Sequence, residues 1–157
     1  MIRLLRGVVV VLMLIPAVGT AQADIINIAD LLATNGAEQG KAYAQKNLGY
    51  MYRYGEGMHN GESVPQDYVE AVRWYRLAAE QGYAPAQLDL GEMYYNGEGV
   101  PQDYVTSHMW YNLGAATGVD RASQRRDFVA QSMTPADISE AQRRARVCLA
   151  SNYRDCD

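Results

Sequence analysis

The sequence predicts an all-α chain built from helix–turn–helix repeats, and three observations carry that reading. The phrase "LGYMYRYGEG" from Leu48 returns as "LGEMYYNGEG" from Leu90, and "VPQDYV" from Val64 returns from Val100. The two offsets are 42 and 36 residues, so the period is 36 and the first copy carries six additional residues, Met58 to Ser63. A period in this range marks stacked supersecondary units that bury a continuous core only together. Within each copy the apolar residues recur at helical spacing, and Gly and Pro cluster where one helix must give way to the next.

The first 23 residues stand apart. Arg3 and Arg6 precede an apolar stretch from Gly7 to Ile15, and Ala21 and Ala23 have the spacing of a small-residue cleavage site. This is the pattern of a secretory signal peptide cut between Ala23 and Asp24. The apolar run falls short of the roughly 20 residues a membrane span needs, so the expected product is a periplasmic or secreted protein without a membrane anchor. Cleavage removes two of the 14 basic residues and none of the 18 acidic ones, which leaves a net charge of −6. The segment from Asp24 to Asp120 carries −8 and the remainder +2. An acidic chain of this kind is a poor candidate for binding nucleic acid.

Residues 24–39 read as a partial repeat, because "AEQGKAYAQ" at Ala37 echoes "AEQGYAPAQ" at Ala79. The first full repeat covers 40–82. Ala44, Leu48, Met51 and Tyr52 form the buried stripe of its first helix, which Gly55 and Gly57 end. Pro65 and Asp67 open a second helix, where a carboxylate caps amides and meets the positive end of the dipole. Ala71, Trp74, Tyr75 and Ala78 give that helix its buried face. The second repeat, 83–118, repeats the plan: Ala86, Leu90, Met93 and Tyr94, then Gly97 and Gly99, Pro101 and Asp103, then Ser107, Trp110, Tyr111 and Gly114. Gly82 and Gly118 close the two units.

Residues 119–157 read as a degenerate third unit followed by a capping helix. Arg121 to Met133 stand where a first helix belongs but place charge at some core positions. Thr134, Pro135 and Asp137 form a strong helix start. Ile138, Ala141, Ala145 and Leu149 supply one apolar side, as a cap that shields the last repeat requires. Cys148 and Cys156 are the only cysteines. In an oxidising compartment a close even pair reads as a disulfide, contributing about 2–3 kcal/mol in the chain-entropy model. A metal site is the weaker alternative, since no His lies near the pair.

At this point the chain resembles a Sel-one-like repeat protein, a relative of the tetratricopeptide-repeat solenoids. The residues that carry the resemblance are Ala86, Leu90, Gly91, Tyr94, Gly97, Gly99 and Val100 in one motif, and Asp67, Ala71, Trp74, Tyr75, Ala78, Ala79 and Gly82 in the other. The tail from Met109 to Arg146 resembles the closing module of small exported members. The resemblance implies a right-handed helix–turn–helix solenoid with a C-terminal capping helix, whose usual role is scaffolding or regulation through protein contacts. Ser107 and Gly114 depart from the family's Ala at their positions, and the insertion lengthens the first turn.

Chemistry is sparsely signalled. The two histidines are His59, in the insertion, and His108, a half-buried structural residue on this reading. Ser107 and His108 are neighbours one apart on a helix and point in different directions. No zinc-protease, nucleophile-elbow or phosphate-loop motif occurs. The sequence therefore predicts no enzyme, no metal and no cofactor.

Subtracting one repeat from the other exposes a candidate binding face. Twelve Tyr stand against one Phe. Tyr52, Tyr68 and Tyr75 match Tyr94, Tyr104 and Tyr111, whereas Tyr43, Tyr50, Tyr54, Tyr83, Tyr95 and Tyr153 have no counterpart. At 100° per residue, Tyr43, Lys46, Tyr50, Arg53 and Tyr54 lie roughly opposite the buried stripe of the first helix. The corresponding positions are Pro85, Leu88, Glu92, Tyr95 and Asn96, then Arg121, Gln124 and Phe128. The family resemblance implies that this face lines a concave groove. Tyrosine suits such a surface because its rigid apolar ring ends in a polar group.

The expected function is a non-catalytic periplasmic interaction module, an adaptor or regulator of an envelope signalling, secretion or cell-surface pathway, bound to an unidentified protein or peptide partner. The competing reading is a cell-wall protein that binds peptidoglycan or a β-lactam with at most weak hydrolysis. Some disulfide-rich exported relatives are linked to penicillin binding, but their cysteines recur in every repeat and these do not. The insertion is either a neutral elongation, since loop closure grows slowly with length, or a loop that touches the partner. Its Asn60-Gly61 pair favours a tight turn.

Overall fold

A computed structural model describes residues 35–59 and 62–156. The signal-peptide reading, most of the partial repeat and the Asn60-Gly61 turn lie outside the described residues. A short helical turn, 35–38, leads into α1 (Ala42–Tyr54). There follow α2 (Tyr68–Ala79), α3 (Ala84–Asn96), α4 (Tyr104–Ala116), α5 (Asp120–Ala130) and α6 (Pro135–Ala150). Each of the first four helices packs against its successor, and α4 also receives α6. The architecture is a helix–turn–helix solenoid closed at its C-terminal end by α6.

The repeat in sequence becomes a repeat in contacts. Leu48 and Leu90 are fully buried, as are Tyr75 and Tyr111. Gly49 and Gly91 let each second helix press its tyrosine ring onto the first, since a Cβ at either glycine would stand 2.7 Å from that ring. Gln45 donates to the Ala37 carbonyl and Gln87 to the Ala79 carbonyl, each reaching back eight residues. Asp67 accepts from the amides of Val69 and Glu70, and Asp103 from those of Val105 and Thr106. Such caps satisfy amides that a helix cannot satisfy internally and are worth about 1 kcal/mol each. Gly55 and Gly97 end α1 and α3 in the left-handed conformation, at φ 67° and 71°.

The departures from the family pattern have physical reasons. Ser107, where the first repeat has Ala71, donates to the Gly91 carbonyl at 2.9 Å and so ties α4 to α3. Gly114 lets α4 approach α5, because a Cβ there would meet that of Ala122 at 3.2 Å.

Within the all-α fold the inserted turn adds one detail: Met58–His59 pairs antiparallel with Glu62–Ser63, in register Met58 with Ser63 and His59 with Glu62. Three sequence expectations need correction. His108 is buried rather than half-buried, at 2% exposure. Leu149 is exposed, and Cys148 takes its place beside Ala141 and Ala145 on the buried side of α6. The stripe therefore runs 141, 145, 148, at the i, i+4, i+7 spacing of one helix face. Finally, Leu88 and Arg53, which the helical angle puts with the surface residues, are both buried.

The start of α6 follows the sequence closely. The Thr134 hydroxyl accepts from the Asp137 amide while the Asp137 carboxylate accepts from the Thr134 amide, a complete capping box. Cys148 and Cys156 are joined by a disulfide. Both belong to the central core with Ala71, Tyr75, Leu90, Met109, Trp110 and Leu113.

Candidate docking face of the first helices

The first helices of the successive units, α1, α3 and α5, are joined along one face by charged side chains. Lys46 of α1 meets Asp89 of α3 at 3.5 Å. Arg53 of α1 reaches Glu92 at 3.3 Å and, in the turn after α3, Glu98 at 2.9 Å. Arg121 and Arg125 of α5 both come to the other oxygen of Glu92, at 3.0 and 3.5 Å. One carboxylate therefore receives a guanidinium from each flank. These ion pairs fix the register of the three helices side by side.

Burial sets the electrostatics. Asp89 titrates above the usual carboxylate range because its surroundings are poorly hydrated, a push that Lys46 only partly opposes. Burial would lower the pKa of Arg53, but the Glu98 carboxylate outweighs it and holds the guanidinium charged. Beneath the face, Tyr75 and Tyr111 are both raised, chiefly by burial and then by Asp89 and Glu92 respectively. They are neutral supports and not acid–base groups at physiological pH.

Aromatic rings flank this charged line. On α1, Tyr50 and Tyr54 sit 4.5 Å apart between centroids, with the Lys46 ammonium 5.4 Å from the Tyr50 ring and the Arg53 guanidinium 5.4 Å from that of Tyr54. Tyr43, Tyr50 and Tyr54 are exposed. At the other end Tyr95 stacks on Tyr104 at 5.5 Å and meets the edge of Phe128 at 6.0 Å. Arg121, Gln124, Arg125 and Phe128 line an open hollow of about 390 Å³.

The residues singled out from sequence divide into two groups. Tyr43, Tyr50, Tyr54, Asn96, Arg121 and Gln124 are exposed, and Lys46, Glu92 and Tyr95 half-buried. Leu88 is core, packed with Tyr111, Ala122 and Val129. Arg53 is a buried strut. Sequence subtraction missed Asp89, Glu98 and Arg125. Glu98 was hidden because it matches Glu56 of the other repeat and so read as architecture. Arg125 carried a usable signal, one turn beyond Arg121 on the same helix face.

Among the described residues, no group of three or more His, Cys, Asp and Glu side chains is placed to hold a metal ion. His108 is held below its ordinary pKa, first by burial and then by Arg126. Its Nδ1 has no hydrogen-bond partner. The face offers rings, ion pairs and amides, which is the chemistry of recognition.

The fold and this face define an α-solenoid whose first helices share one surface. The Sel1 repeat profile matches residues 42–83 and 84–119, and the chain belongs to the Sel1 repeat family. A Sel1 repeat protein from Oxalobacter formigenes is 37% identical, with a TM-score of 0.55 over 60% of this chain and 67% of that one. A protective antigen present in uropathogenic Escherichia coli strains, displaying an SLR fold, is 27% identical with a TM-score of 0.69. That match covers 79% of this chain but only 26% of the antigen, so this chain spans about a quarter of its length. None of the curated proteins matches. Sel1 repeats generally mediate contacts between proteins and are generally non-catalytic. Among the described residues no helix is long and apolar enough to cross a membrane, and the disulfide fits an oxidising compartment.

Proposed function

We propose that the chain is a non-catalytic interaction module of the bacterial periplasm, which binds a segment of a protein partner on the α1–α3–α5 face and serves as an adaptor or regulator in the envelope. The observation that carries this reading is the pairing of rings at both ends of the ion-paired line: the exposed Tyr50 with Tyr54, and the half-buried Tyr95 with the exposed Phe128. A monomeric surface gains nothing by exposing such rings, whereas a docked partner gains large rigid contact area at little entropic expense. Tyr43, Lys46, Asn96 and Gln124 extend the contact, and Arg53, Leu88 and Glu92 hold its shape from below. The signal-like first 23 residues and the disulfide support export, as does the likeness to a protective antigen.

The test is capture of partners from periplasmic extract by the mature chain, residues 24–157, beside the Tyr50→Ala/Tyr95→Ala double variant. Retention by the wild type and loss by a variant of unchanged helicity is the expected result. Equal retention by both, or an unfolded variant, removes these rings from the docking role. If neither retains a protein, thermal stabilisation by muropeptides or β-lactams becomes the decisive measurement for the cell-wall reading.

A further inference from the structure

We infer that the α5 end of the face is an anion seat, built for a carboxylate side chain of a peptide partner whose neighbouring residue is aromatic or aliphatic. This rests on the docking-face reading and names the chemistry of the occupant.

The cationic groups there are under-supplied with partners. Among the described residues Glu92 is the ion-pair partner of both Arg121 and Arg125, through a single oxygen. Its other oxygen is engaged by Arg53. A carboxylate can accept one guanidinium fork in full, using both oxygens. Shared three ways, Glu92 leaves most of the N–H donors of Arg121 and Arg125 facing outward, and those side chains are 63% and 42% exposed. Along the whole face Lys46, Arg53, Arg121 and Arg125 stand against Asp89, Glu92 and Glu98, one positive charge in excess. The complete chain carries −4. The face is thus a local cationic island on an acidic protein.

The hollow between these groups has the matching second half. Arg121, Gln124, Arg125 and Phe128 fall at helical spacing on one side of α5 and line the same opening. Phe128 is the single Phe of the chain and is 51% exposed. Its ring continues through Tyr95 to Tyr104 as an apolar wall. A carboxylate would complete the guanidinium forks while the adjoining apolar side chain covers Phe128, and the Gln124 amide is placed to meet the peptide backbone. The overall negative charge repels a long polyanion such as nucleic acid or an anionic membrane, but a single carboxylate feels chiefly its nearest partners because distant charges are screened.

A random nonapeptide array probed with the purified mature protein tests this. Bound peptides should be enriched in Asp or Glu beside Phe, Tyr or Leu. The tightest of them should lose at least tenfold in affinity on Glu→Gln exchange, and by a similar factor against Arg121→Gln/Arg125→Gln. Phe128→Ala, at an exposed position, should weaken binding about threefold or more, and both variants should keep the wild-type circular dichroism. If peptides bind without regard to acidic residues, or if the double Arg variant binds them unchanged, the anion seat is overturned while the docking face stands. Binding of a DNA oligonucleotide or phosphatidylglycerol vesicles through the same arginines, with no acidic peptide bound, would also overturn it. A silent array together with an empty extract capture defeats both readings.

Discussion

The two full repeats share a scaffold and differ where a partner would touch. Gln45 and Gln87, Gly49 and Gly91, Tyr75 and Tyr111, Asp67 and Asp103 make the same contacts in each unit. On the docking face the equivalences dissolve: Lys46 answers Leu88, Tyr50 answers Glu92, and Arg53 answers Tyr95. Side chains that hold helix to helix recur because the packing problem recurs. Those on the open face have no common task, so each unit contributes what its place along the line requires. The turns differ too. The second turn lies against the start of α2, with Gly99 on the backbone of Tyr68 and Val69, whereas the equivalent Gly57 of the first turn lies nearest the Met51 side chain of its own unit.

That contrast gives the largest predicted effect. A Cβ at Gly99 would run into the Tyr68 carbonyl and stand 2.8 Å from the Val69 amide nitrogen, at φ 71°. Gly99→Ala should destabilise by about 3 kcal/mol, combining a left-handed alanine with a backbone clash. Gly57→Ala, whose obstacle is the movable Met51 side chain, should cost about 1 kcal/mol. Urea midpoints of the pair would check this, and equal losses would mean that the two turns are mechanically alike.

Arg53→Ala comes next. It leaves Glu98 without its guanidinium and opens space under Tyr54, so about 2 kcal/mol should be lost. Tyr95→Ala, at the equivalent position, should lose less because its ring is flanked by others and not by a buried ion pair.

His108 occupies the position of Val72 in the first repeat. Its folded pKa is depressed by burial, so the unfolded chain takes up the proton more readily. Stability from this group is complete above the unfolded value of about 6.5 and is lost as pH falls through it toward the folded pKa. His108→Val should flatten the fall in melting temperature between pH 7 and 5. It should also stabilise by about 1 kcal/mol at pH 7 by removing an unpartnered buried nitrogen. A variant as pH-sensitive as wild type would place the acid-labile group elsewhere.

The smallest effect is expected from deleting residues 58–63, which turns the first loop into a copy of the second. Beyond its own pairing the ladder sets the His59 ring 6.1 Å from that of Tyr52, and stability should change by about 1 kcal/mol or less. A larger loss would show that Val64, 4% exposed in the first core cluster, depends on the ladder for its placement.

The fold was legible because its determinants are local and stated twice. Asp67, Asp103 and Thr134 announce helix starts through hydrogen bonds a few residues long, and Leu48 and Leu90 recur at a fixed period. The docking face was legible only as an angle. Helical geometry says which side of α1 carries Tyr50 and Tyr54, but not that Arg53 bends beneath them to reach Glu98, 45 residues away. Leu88 fell on the open side by angle and is nevertheless covered, because α5 closes over it. The ladder at Met58 and Ser63 escaped notice since two residues per strand are too few to show alternation.

The disulfide does more than trim a loose end. The turn it closes carries Asn152 and Tyr153 in the left-handed conformation, at φ 55° and 61°. The Tyr153 ring lies over Gly82, at the close of the first repeat, where a Cβ would come within 2.9 Å of it. The last residues of the chain therefore lean on the junction between the first and second units and not only on their immediate neighbour. A simple stack peels from either end, each layer leaving independently of the rest. Here one end rests on the middle, so unravelling is expected to start at the α1 end, with the layers beyond Gly82 giving way more nearly together.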